Sequence, residues 1–423
     1  MKFIFADSMD MVDPEFDFEA DRSGADREMY WGDVYPHEFF STPPYQGVLV
    51  SRGIVGDDMF PGKYPEDLMM RFRRVGARKF LRMEGQLAKM DIFGDCGAFS
   101  YVDREVPPYT PEMMLDFYAD GGFTHGCSVD HIIFDFLPNA RGLEGGTPDA
   151  RRRFDITLEN AAAFLKASKA MGKGFTPLGV IQGWSPDSMA IAGQRLEKMG
   201  YTYLAIGGMV PLSADQVHQC LQAIRKKISA RVKLHILGFA KAEQIHEFTD
   251  YGIASFDSTS PLTRAFKDAR SNYYLPGAKG GLEYFTAIRV PQATENARLK
   301  RKAKESGVDQ ERLVKLEQSA LRELRLYDRK GGSSKRALDA VLDYSREFLW
   351  DSKKGADANE VAIGKTKAAL QRTLDEKPWK QCNCRVCAEA GIDAVIFRGS
   401  NRNKRRGFHN LAVYYQHFKK VAR

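Results

Sequence analysis

Eight short apolar runs recur along the first 260 residues, and helical patterns with amphipathic spacing lie between them. The runs are Gly47–Ser51, Phe80–Met83, Asp91–Gly94, His131–Phe134, Leu178–Ile181, Tyr203–Ile206, Leu234–Leu237 and Ala254–Phe256. The helical patterns include Pro65–Val75, Pro111–Ala119, Arg152–Met171, Asp187–Met199, Ala214–Ile228 and Ala242–Tyr251. Apolar side chains three and four apart mark a one-sided helix, whereas short continuous apolar runs suit strands buried on both faces. Eight such β–α repeats predict an α/β chain closed as a (β/α)8 TIM barrel, with right-handed crossovers and chemistry at the C-terminal strand ends. An open, doubly wound sheet is the alternative topology for the same pattern.

Beyond the eighth run the pattern changes. Ala293–Lys330 and Ser334–Trp350 read as long charged helices joined by Gly331-Gly332-Ser333, and no strand signal stands out over 271–380. The expected organisation is an N-terminal extension over 1–44 and a catalytic barrel over 45–270. A basic helical insertion over 271–380 and a zinc-binding subdomain over 381–423 follow. The chain has 423 residues, 43% of them apolar, enough for a large core. It has no run long enough to span a membrane and no cleavable apolar leader, so a cytoplasmic protein without a membrane partner is expected.

Charge is unevenly placed. The net formal charge is +8. Residues 1–30 hold nine acids and three bases, residues 396–423 eight bases and no acid, and residues 298–336 thirteen bases and six acids. A basic C-terminal half suits a polyanion such as nucleic acid, and equally suits solvated helix faces with a basic tail.

The most specific local signal is Cys382-x-Cys384-x-x-Cys387 followed by His409. Three thiolates and an imidazole form a closed tetrahedral set that suits structural zinc and leaves no open position for a catalytic water. Cys96, Cys127 and Cys220 stand alone and read as small buried residues.

Acids and glycines close the predicted strands. Asp95 ends the third, Asp135 the fourth and Asp257 the eighth, while Gln182-Gly183, Gly207-Gly208 and Gly238 end the fifth, sixth and seventh. In a barrel these converge on one mouth, where two or three carboxylates can divide the work of nucleophile and proton carrier. Each acid taken singly is also a plausible cap of the next helix.

Gly179-Val180-Ile181-Gln182-Gly183, Tyr203-Leu204-Ala205-Ile206-Gly207-Gly208, Phe256-Asp257-Ser258 and the Cys-x-Cys-x-x-Cys…His-Asn-Leu ending resemble the queuine/archaeosine tRNA-guanine transglycosylase family in order and spacing. The resemblance covers about residues 45–270 and 381–415. The helical insertion and the acidic, aromatic N-terminus resemble its DNA-acting branch, the DNA 7-deazaguanine transglycosylases. The resemblance implies exchange of guanine in DNA for a 7-deazaguanine, most simply 7-cyano-7-deazaguanine (preQ0), through a covalent aspartyl-glycosyl intermediate. It implies Asp257 as nucleophile and Asp95 as general acid/base. Asp135 would read the guanine donor edge, Gln182 and Gly208 its O6, and Phe99 would stack on the base, with Leu237 and Gly238 as the opposite wall. DNA and possible accessory DNA-modification proteins are the implied partners. Exchange on tRNA and a non-catalytic nucleic-acid-binding subunit are the alternatives. The segment Cys96-Gly97-Ala98-Phe99-Ser100, Leu137, and Pro261-Leu262-Thr263-Arg264 depart from the family pattern. The basic residues of 298–336 and the Arg402–Arg406 run are the expected phosphate contacts.

Overall fold

The computed structural model describes residues 1–239, 241–278, 280–297, 299–301, 309–350 and 355–422. They fall into two compact units. The first consists of Met1–Asp10, Tyr45–Ser260 and the residues from Phe418. It contains a closed parallel barrel of eight strands in sequential order: β1 (Lys2–Ala6), β2 (Gly47–Ser51), β3 (Asp91–Asp95), β4 (His125–Cys127), β5 (Thr176–Ile181), β6 (Tyr203–Ile206), β7 (Lys233–Ile236) and β8 (Ile253–Ser258). Closure comes from β1 pairing with β8, with Phe3 opposite Phe256 and Ile4 opposite Asp257. Ile4, Leu49, Phe93, Leu178 and Val180 pack in the core cluster that fills the barrel. Thr110, Thr147, Ser185 and Ser213 each accept a backbone N–H at the start of the helix that follows, satisfying donors that the helix itself leaves unpaired.

The barrel uses a different first strand from the one expected. Lys2–Ala6, read as part of an acidic extension, is β1. The run Phe80–Met83 is no strand: helix Ala77–Phe80 delivers Phe80 into an aromatic cluster, with its ring centroid 5.3 Å from those of Tyr64 and Phe72. A four-residue apolar run serves a buried helix end as well as a strand. The fourth strand also lies earlier, at His125–Cys127. His131–Phe134 is irregular, and its backbone donors are met by side chains: the His131 N–H by Thr157 Oγ1 at 3.0 Å and the Ile133 N–H by Gln182 Oε1 at 3.2 Å.

The second unit consists of Met11–Pro44 and Pro261–His417. It holds an antiparallel pair, β9 (Tyr273–Pro276) with β10 (Leu282–Phe285), and a parallel pair, β11 (Ile288–Arg289) with β12 (Ile396–Phe397). These short pairs lie mostly where no strand was expected. Helices Gln310–Lys330, Ser334–Leu349 and Ala356–Glu376 supply the helical part. Residues 298 and 302–308 of the long helix expected over Ala293–Lys330 lie outside the described residues.

Arg402, Arg405 and Arg406, expected at a phosphate surface, are buried. Arg402 pairs with Asp21 (2.8 Å) and Asp393 and donates to the Phe18 carbonyl. Arg405 pairs with Glu389 at 2.9 Å and donates to the Asp13 and Pro14 carbonyls at 2.7 Å. Arg398 bridges Asp21 and Glu317. The basic C-terminal run therefore binds the acidic N-terminal run within the same unit. A buried guanidinium needs such partners, because one left unpaired away from water is strongly destabilising.

Candidate active site and metal centre

Parallel strands ending on one side of a closed barrel bring their C-terminal residues together. Asp95 ends β3 beside Ser51, its register partner at the end of β2. The Ser51 hydroxyl hydrogen-bonds the Asp95 carboxyl, and the Gly97 N–H donates to its Oδ1 at 2.9 Å. Burial pushes the Asp95 carboxyl up from its ordinary 3.8 to about 7, against the pull of the Ser51 hydrogen bond and with the help of the charges on Asp257 and Asp130. A carboxyl poised there can both give and take a proton near neutrality.

Asp257 lies near the end of β8 and is 4% exposed. Its Oδ1 faces two groups: the Gly238 N–H at 3.0 Å and His235 Nε2 at 3.1 Å. Gly238 has φ +60°, which turns its amide toward the carboxylate at a position where a side chain would be strained.

The third acid at this mouth is Asp130, three residues beyond β4 and 5% exposed. Gln182 Nε2 donates to its Oδ2 at 2.7 Å, and Cys96 Sγ lies 3.1 Å from its Oδ1. Burial raises the Asp130 carboxyl, and those two contacts oppose the shift. A side chain at Gly207 would fall on the Gln182 amide nitrogen, so the glycine at the end of β6 lets Gln182 reach Asp130. Gly208 follows, next to the Ile133 carbonyl.

Asp135 follows Phe134, whose ring pairs with that of Phe99. It is exposed and accepts from Thr147 Oγ1 at 2.9 Å, and Thr147 in turn caps helix Pro148–Ser168. Placing the fourth strand at 131–134 made Asp135 the acid at its end. With β4 ending at Cys127, the acid next in line is Asp130. Ser51, Asp130 and His235 were missed by the sequence reading. The signal for Asp130 was the short His-Gly-Cys strand before it, whereas nothing local marks His235.

Phe99 and Phe134 are 57% and 45% exposed, with ring centroids 5.8 Å apart and planes at 49°. Exposed paired aromatics next to buried acids offer a flat apolar surface for a ring. Leu237 and Gly238 follow β7 and are half-buried. His131 is held structurally, with Nε2 on the Arg104 carbonyl at 2.8 Å and Nδ1 on Arg153 at 3.0 Å. Cys96, Cys127 and Cys220 are buried thiols, as expected.

In the second unit, Cys382, Cys384, Cys387 and His409 present ligand atoms that all lie within 4.8 Å of one another. His409 Nδ1 is 3.6, 3.3 and 3.3 Å from the three sulfurs in turn. Tetrahedral zinc with ordinary Zn–S and Zn–N lengths sets that spacing at about 3.6 Å, so the donor set fits such an ion. The surrounding contacts favour the same arrangement. His409 Nε2 donates to the Tyr274 carbonyl at 2.8 Å, which leaves Nδ1 free to ligate. The Tyr273 ring stacks on the imidazole at 4.0 Å, and its hydroxyl lies 3.0 Å from Cys387 Sγ.

No family model matches the chain. It is 40% identical over 418 residues to a DNA-guanine transglycosylase from Salmonella montevideo, an alignment covering 98% of this chain and 96% of the relative. It is 23% identical over 198 residues to a queuine tRNA-ribosyltransferase from Roseiflexus sp. (strain RS-1), covering 43% of this chain and 48% of that protein. Among the described residues no helix is long and apolar enough to cross a membrane. With the first of these similarities running nearly end to end in both proteins, the chain belongs to the guanine transglycosylase superfamily and is a glycosyltransferase of the pentosyl-transferring kind.

Proposed function

We propose that the protein removes guanine from DNA and installs a 7-deazaguanine, 7-cyano-7-deazaguanine, through a covalent aspartyl intermediate. The observation that carries the reading is the meeting of Asp95, Asp130 and Asp257 at one barrel mouth, with Asp95 raised to about 7. The similarity to the Salmonella DNA-guanine transglycosylase supports DNA as the polymer.

Asp257 attacks C1′ of the target nucleotide. As the C1′–N9 bond breaks, Asp95 gives its proton to the departing guanine. The incoming 7-deazaguanine loses a proton to Asp95, and its nitrogen attacks C1′ and displaces the Asp257 carboxylate. Two inversions leave the sugar configuration unchanged, the logic of retaining glycosidases. Of the two acids, Asp130, buried and fixed by Gln182, is proposed here over the exposed Asp135 as the reader of the N1–H and N2 donors. Gln182 and Gly208 lie on the O6 side. Phe99, with Phe134, stacks on the base, and Leu237 and Gly238 form the opposite wall. A buried carboxylate facing a donor edge rejects adenine by being left unpaired.

Zinc, held by Cys382, Cys384, Cys387 and His409, is structural in this reading: it ties 381–387 to helix Ser400–Val421. The backbone of the DNA is held by exposed cations of 271–380, such as Lys315, Lys335 and Arg336. A duplex target must be opened to expose C1′ and the base edge, which gives accessory DNA-modification proteins a place. Free thiols suit a reducing cytoplasm.

The test is incubation with labelled 7-cyano-7-deazaguanine and either plasmid DNA or bulk tRNA. Label in DNA alone is expected. Label in tRNA alone would overturn the choice of polymer.

A further inference from the structure

We propose that His235 is the positioning residue for the attacking carboxylate, locked in one tautomer by Ser255 and Tyr203, and that Oδ2 of Asp257 is the oxygen that bonds to the sugar. The inference deepens the preceding reading and rests on Asp257 as nucleophile.

A continuous polar chain runs between neighbouring strands β6, β7 and β8. The Tyr203 hydroxyl lies 2.6 Å from Ser255 Oγ, Ser255 Oγ lies 2.5 Å from His235 Nδ1, and His235 Nε2 lies 3.1 Å from Asp257 Oδ1. His235 and Ser255 are fully buried, so no water competes for these contacts. The proton positions follow from the ends of the chain. Burial pushes the Tyr203 phenol up to about 12, so it keeps a proton that it can donate to Ser255. Ser255 can then donate to Nδ1, which puts an imidazole proton on Nε2, pointing at Oδ1. The opposite tautomer would set the Nε2 lone pair against a carboxylate oxygen, two acceptors facing each other. Phe93 stacks on the His235 ring at 5.1 Å and on the His125 ring at 4.2 Å, which holds the imidazole plane.

Oδ1 therefore receives two donors, His235 Nε2–H and Gly238 N–H, while Oδ2 receives none among the described residues. Charge held on Oδ1 leaves Oδ2 as the free nucleophilic atom. In the first displacement the Oδ2–C1′ bond forms as C1′–N9 breaks, and the released electron pair on N9 takes the Asp95 proton. The ester carbonyl is then Oδ1, with both donors in place. In the second displacement N9 of the incoming base bonds to C1′, and the C1′–Oδ2 pair returns to the carboxylate, where the same donors meet the regenerated charge. Preorganised donors of this kind are worth most where charge develops in a water-excluded site.

The test uses the full-length protein. His235→Leu removes the donor, and His235→Gln keeps an N–H within reach of Oδ1. The expected result is a fall in kcat of about 100-fold for His235→Leu, with KM for guanine within about twofold of wild type. His235→Gln is expected to recover to within about tenfold of wild type. Full kcat in His235→Leu, or an equal loss in both variants, overturns the proposal and leaves His235 a packing role. Nitrogen NMR of protein labelled at histidine reads the tautomer without any substitution: protonated Nε2 is expected, and protonated Nδ1 overturns the proposal even if the variants fail to fold. Asp257→Ala run in parallel separates the two layers. Exchange surviving in Asp257→Ala would defeat the nucleophile reading itself, whereas exchange lost in Asp257→Ala but intact in His235→Leu would defeat only the relay.

Discussion

Gln182 Nε2 donates to Asp130 Oδ2 at 2.7 Å, joining the end of β5 to the acid that follows β4. The pair is buried, and Gly207 leaves the space it needs. If Asp130 reads the guanine donor edge, Asp130→Asn replaces one acceptor by a donor that faces donors. Exchange efficiency should fall by about 3 kcal/mol, roughly 100-fold in kcat/KM. Asp135→Ala should stay within about threefold if Asp130 is the reader, and a loss of about 100-fold would return that role to Asp135. Initial rates of labelled guanine exchange measure both.

Raised acidity at Asp95 makes two pH predictions. If the carboxyl serves as acid and then as base, kcat should peak near pH 7 and fall on both sides. Stability has a definite sign. The folded protein holds a proton on Asp95 between about 4 and 7 where the unfolded chain does not, so this residue's contribution falls as pH rises through that window. Asp95→Asn should therefore melt about 2–4 °C above wild type at pH 8 and show no such gain at pH 4. Thermal melts at the two pH values decide it.

Removal of the metal should unfold local structure without touching the acids. Cys384→Ser is expected to lose bound zinc and to lower the melting temperature clearly, as a structural site contributes folding energy directly. Zinc content and melting curves are the measurements. Full metal content with an unchanged melt would remove the site.

Buried and exposed cations should separate cleanly. Arg402→Ala takes one of two cations from Asp21, which keeps Arg398, and from Asp393, which keeps Arg325, and should cost about 3 kcal/mol of stability while leaving the salt dependence of DNA binding unchanged. Lys335→Ala with Arg336→Ala should leave the melt unchanged and reduce the salt slope by about 2. Denaturant melts and binding at several salt concentrations test the pair.

The barrel was legible because a β–α alternation leaves a periodic trace, and six of the eight expected runs overlap or match observed strands. Lys2–Ala6 was hidden by the acidic residues that follow it. His125–Cys127 was hidden because a three-residue strand with a central glycine has less apolar signal than His131–Phe134 beside it. That displacement moved the acid expected after the fourth strand from Asp130 to Asp135. Asp95 and Asp257 were legible as strand ends, and Cys382, Cys384, Cys387 and His409 as a local spacing that the fold closes into one cluster. The Arg402–Arg406 run was misread because a line of cations looks the same whether it faces water or a buried acidic segment, and only tertiary packing distinguishes them. His235 depends on a register between three strands that no local pattern encodes.

Asp257 is proposed to carry the sugar. Enzyme mixed with guanine-containing DNA and quenched in denaturant should yield a covalent protein–DNA species, and peptide mapping by mass spectrometry should place the abasic sugar on Asp257. Loss of that species in Asp257→Ala agrees with the account; an adduct mapped to Asp95, Asp130 or any other side chain contradicts it.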